Sequence, residues 1–79
     1  MIRTDQEKAL SLLDELARTN GLELLMRRYD DGSGYMLLIQ KEGSMRTLDS
    51  VSIGTNDLGE RVYENVKAAI AKVVATRLP

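Results

Sequence analysis

The chain predicts an α+β domain in two layers: a three-stranded antiparallel meander with both helices on one face, in the order α-β-β-β-α. Three observations predict it. Apolar residues recur at helical spacing in the first and last quarters of the chain, and three short β-prone stretches separated by turn residues fill the middle. The turns between those stretches are too short for parallel crossovers. With 79 residues there is room for a single domain, 1–79.

The first helix is expected over Thr4 to Gly21. Thr4 and Glu7 have capping-box spacing, and Asp5 adds negative charge at the positive end of the helix dipole. Ala9, Leu12, Leu13, Leu16 and Ala17 make one apolar stripe, Asp14 and Arg18 form an i,i+4 pair, and Asn20-Gly21 supplies the left-handed stop. Leu22 to Tyr29 then reads as a strand, closed by the five turn-forming residues Asp30 to Gly34. Tyr35 to Glu42 is the second strand, followed by Gly43-Ser44 as a two-residue hairpin turn. Met45 to Ile53 is the third, ended by Gly54 to Asp57. The last helix is expected to be capped by Asn56 or Asp57, with Glu60 at box spacing from Asp57. Its stripe runs through Leu58, Val62, Val66, Ile70, Val73 and Arg77, widened by Tyr63, Ala69 and Val74, and Pro79 ends the chain.

Register follows by counting outward from the turns, because side chains alternate faces. Tyr29 then faces Tyr35, Glu42 faces Met45, and Glu23 stands across from Lys41 as an ion pair. One face collects Leu22, Leu24, Met26, Met36, Leu38, Met45, Val51 and Ile53, and its purely apolar character assigns it to the helices. The other collects Leu25, Tyr29, Tyr35, Leu37, Ile39 and Leu48, mixed with Glu23, Arg27, Lys41, Arg46, Ser50 and Ser52.

Composition narrows the chemistry. Without cysteine or histidine there are no disulfides, no cysteine- or histidine-ligated metal sites, no cysteine nucleophile and no histidine base. No cofactor or metal is therefore expected, and no enzymatic activity. A small domain without staples points to a reducing cytoplasm. No stretch approaches the roughly 20 apolar residues of a membrane span. A net charge of −1 gives no global attraction to nucleic acid. Asp57, Glu60 and Glu64 are explained by capping and the helix dipole. Asp31-Gly32-Ser33-Gly34 lacks the acidic first and twelfth ligands of a calcium loop, where Tyr29 and Gln40 stand.

The order of elements resembles that of double-stranded-RNA-binding domains and of small RNA-cleaving toxins. Where the former carry lysines at the start of the last helix, this chain reads Asn56-Asp57-Leu58-Gly59-Glu60-Arg61, and the histidine of the toxins is missing. The likeness is one of topology.

The functional expectation rests on the open face. A sheet with both helices on one side leaves Leu25, Leu37, Ile39 and Leu48 uncovered, rimmed by Arg27, Tyr29, Tyr35, Lys41 and Arg46. Monomers seldom leave such a patch exposed. The expected function is a small interaction module, a homodimer joined through this face. The alternative partner is nucleic acid, with Tyr29 and Tyr35 for stacking and Arg27, Lys41 and Arg46 for phosphates.

Overall fold

The computed structural model describes residues 3–77, with the side chain of Arg77 left out. It has α1 (Thr4–Thr19), β1 (Leu22–Arg28), β2 (Gly34–Lys41), β3 (Thr47–Gly54) and α2 (Gly59–Arg77), with the strands ordered β1-β2-β3, all antiparallel. The α+β class and the α-β-β-β-α order are those the sequence predicts. The stripe position assigned to Arg77 and the ending at Pro79 lie outside the described side chains and residues.

Helix α1 turns Ala9, Leu13 and Ala17 inward together with a polar residue, Gln6. Leu12 is one residue, about 100° of helix, from the fully buried Leu13, so it points outward at 58% exposure, while Leu10 and Leu16 flank the core instead. Arg18 and Asp14 pair at 3.1 Å as expected, and Gly21 (φ 72°) makes the left-handed stop. In α2, Val62, Val66, Ile70 and Val73 are buried, with Tyr63, Ala69 and Val74 at the margin; Leu58 precedes the helix and is exposed.

The sheet register differs from the counted one, and the difference inverts the middle strand. Tyr29 pairs with Gly34, its N–H donating to the Gly34 carbonyl at 3.0 Å, so the first loop is Asp30–Ser33 and Gly34 belongs to β2. Gly34 takes φ +155°, and a side chain there would overlap the Ile53 carbonyl; only glycine lets β2 and β3 meet at that point. At the second hairpin the two central residues are Glu42-Gly43, closed by Ser44 N–H donating to Lys41 O at 2.9 Å. Gln40 opposes Thr47, as counting gives, but Ile39 opposes Asp49. The extra residue between them is Leu48, a β-bulge that moves all later pairs by one.

One-residue slips on both sides of β2 reverse its faces. Tyr35, Leu37 and Ile39 are buried under the helices, 4%, 3% and 0% exposed, and Leu48 packs against the same core. Met36 and Leu38 take the open face. Lys41 and Arg46 lie at the exposed end of β2 and in the loop before β3. Glu23 opposes Gln40 rather than Lys41, and its carboxylate accepts the Gly43 N–H at 2.9 Å. Met45 is looped out at 93% exposure and does not join the core.

This register makes adjacent leucines unequal. Leu37→Ala should lower stability by about 2–5 kcal/mol, as for a buried leucine that leaves a cavity. Leu38→Ala should cost about 1 kcal/mol or less. Chemical denaturation of the two variants checks this, and equal losses would contradict the register.

Candidate functional site

Two regions differ from an ordinary core or surface: a buried polar cluster at one end of the helices, and the uncovered side and edge of the sheet.

The cluster forms where α1 begins beside the β3–α2 turn. Gln6 is fully buried; its Nε2 donates to Asp57 O at 2.6 Å and Gly54 O at 3.2 Å, and its Oε1 accepts the Tyr35 hydroxyl at 3.4 Å. The Asp57 carboxylate accepts the Gly54 N–H at 2.8 Å, so it closes the turn instead of capping α2. The cap comes from the other helix: the Asp5 carboxylate accepts the Gly59 N–H at 2.7 Å. Thr4 is already helical and makes no side-chain cap; Arg3 holds the N-cap position and pairs with Asp5 at 3.1 Å. Gly59 is required here, since a side chain would overlap the Asp5 carbonyl.

The electrostatics follow from these contacts. The Gly59 N–H, helped by Arg3, holds the Asp5 carboxyl below its ordinary pKa. Burial, with the negative Asp57 and Asp5 nearby, raises the Tyr35 phenol above its own. Among the described residues no buried side-chain nitrogen or oxygen lacks a partner, so the buried polar groups of the cluster satisfy one another and the backbone around them. Among the described residues no three acidic side chains converge to hold a metal ion, and no helix is long and apolar enough to cross a membrane.

The uncovered side of the sheet carries Leu25, Arg27 and Tyr29, as the sequence predicts. Tyr29 shares a hydrogen bond of 3.0 Å with the Ser52 hydroxyl on β3. Their neighbours on β2 are Met36 and Leu38, which sequence reasoning placed under the helices, rather than Tyr35, Leu37 and Ile39. β2 is apolar on both faces, so its alternation carried no sign of which side turns inward.

Strand β1 is an outer strand. Leu25 and Met26 are 46% and 44% exposed, Leu25 on the open side and Met26 on the helix side, where α1 does not reach over it. Leu10, Leu24, Met26 and Leu37 line an apolar groove there of about 370 Å³, edged by Glu7, Ser11 and Asp14. No protein-family model, curated protein or solved structure matches this chain.

The raised Tyr35 pKa has a signed consequence. The fold favours the neutral phenol, so its contribution is complete below the unfolded pKa of about 10 and is lost as pH rises through the higher folded value. Urea midpoints between pH 8 and 11 should fall more steeply for the wild-type protein than for Tyr35→Phe. Parallel alkaline limbs would show that Tyr35 is not held neutral by the cluster.

Proposed function

We propose that this chain is a self-associating interaction module whose contact surface is centred on Leu25. The observation that supports this is that Leu25 and Met26 adjoin on one outer strand, both nearly half exposed and on opposite sides of β1, whereas the exposed Leu12, Met45 and Leu58 lie on α1 and in loops. Leu24 and Leu10 extend the apolar surface on one side, and Met36 and Leu38 on the other. Glu23, Arg27 and Arg28 border it, giving the apolar centre and polar rim of a protein–protein contact. A second copy is the occupant, since two-fold pairs are the commonest assemblies of small domains.

Nucleic-acid binding has less behind it. Tyr35 is buried in the core, and Lys41 and Arg46 stand apart from Arg27, which leaves one arginine and Tyr29 where a stacking platform flanked by cations was expected.

Sedimentation equilibrium across a concentration series tests the reading. The wild-type mass should rise toward twice the 8.8 kDa chain mass. Leu25→Asp should weaken association about 30-fold or more, the loss typical of a central contact residue, while its melting temperature as a monomer stays close to that of the wild-type chain. A wild-type protein that stays monomeric at every concentration would overturn the proposal.

A further inference from the structure

We infer that two copies join edge to edge through β1, in one register: antiparallel about a two-fold axis at Leu25, making a continuous six-stranded sheet. The inference rests on the self-association reading and specifies its geometry.

The backbone of β1 is free on one side. Glu42 N–H donates to Gly21 O and Tyr29 N–H to Gly34 O, both at 3.0 Å. In an antiparallel ladder these odd-numbered positions are the ones that exchange hydrogen bonds with β2. The even-numbered Leu22, Leu24, Met26 and Arg28 therefore aim their N–H and C=O groups outward. A second β1 can bond to that row only if even positions meet even positions.

The two outer strands of this sheet are unlike. β3 carries a bulge at Leu48 and an acidic side chain, Asp49, opposite the fully buried Ile39, and both features discourage strand addition. β1 pairs with β2 without a bulge from Leu22 to Arg28, has no proline and is apolar from Leu24 to Met26.

Charge selects the register. With the axis at Leu25, Glu23 of each copy faces Arg27 of the other, at non-hydrogen-bonded positions where side chains lie closest. On the helix side Leu24 faces Met26, twice, beside the two apolar grooves, and Leu25 meets Leu25 on the open side. Moving the axis to Leu24 sets Glu23 against Leu25. Moving it to Met26 sets Arg27 against Leu25 and Glu23 against Tyr29. Of the three registers only the Leu25 axis brings Glu23 and Arg27 together, though it also sets Arg28 against Leu22 on the helix side. Within one chain Glu23 and Arg27 are four residues apart, about 13 Å along the strand, so they do not pair with each other.

The test is a charge exchange read by sedimentation equilibrium. Glu23→Arg alone and Arg27→Glu alone should each raise the dimer dissociation constant about tenfold or more, because each sets like charges face to face twice. The double variant Glu23→Arg with Arg27→Glu should restore it to within about threefold of the wild-type value, an outcome that a merely structural role for either residue does not produce. Ser50→Arg, on the open face of β3 and two strands from the β1 edge, should leave the dimer intact. A dimer that the double variant does not restore, or that Ser50→Arg abolishes, overturns the edge pairing while self-association through another surface stands. A wild-type protein that is monomeric throughout overturns both.

Discussion

The structure depends on a polar tie between the first turn of α1 and the corner that leads from β3 into α2. A fully buried glutamine is costly unless its amide is satisfied, and Gln6 is satisfied by two backbone carbonyls of that corner and the Tyr35 hydroxyl. The partners lie as far as 51 residues apart in sequence, from Gln6 to Asp57. The hydrogen bonds are directional, so they specify the approach of the two helices more narrowly than apolar packing does. Asp5 completes the arrangement by capping the other helix at Gly59, where the helices come too close for a side chain.

Fixing both helix starts over the same end of the sheet has consequences at the other side and at the edges. α1 and α2 pack on each other, α1 lies over β1 and α2 over β3, so one face of the sheet stays uncovered. The bulge at Leu48 draws that residue onto the core and disturbs the β3 edge. β1 has no such device, and α1 leaves Met26 open. The same packing that builds the core thus leaves Leu25 and Met26 exposed on an outer strand without a bulge, and this asymmetry supports the functional reading. Among the described residues every buried side-chain nitrogen and oxygen is bonded, and β1 keeps an outward hydrogen-bonding row without a bulge.

Much of this was legible in the residues. The helix stripes, the Asn20-Gly21 stop, the Asp14–Arg18 pair and the order of elements follow from local spacing, which needs no tertiary information. The faces of β2 did not follow, for a local reason of another kind. Tyr35, Leu37 and Ile39 alternate with Met36, Leu38 and Gln40, so hydrophobicity marks neither side. Position then depends on turn lengths, where Gly34 joins the strand and Leu48 is an extra residue. Either slip alone would leave one neighbouring strand correctly paired; together they turn over β2 against both. Local spacing assigns each helix a cap of its own, whereas Asp5 caps the other helix. Gln6 was invisible as a core residue because a glutamine at a helix start ordinarily faces water, and only the corner opposite makes it a buried one.

Amide hydrogen exchange on the wild-type protein and on Gln6→Met, a variant of similar size without the amide, tests the polar tie most directly. The Gly54 and Gly59 amides donate to the carboxylates of Asp57 and Asp5. In the wild-type protein they should be protected to a degree comparable with the β2 amides. In the variant they should lose about tenfold or more of that protection, beyond any loss across the sheet, as the helix starts separate from the corner. Free exchange of these two amides in the wild-type protein, or unchanged protection in the variant, would contradict the account.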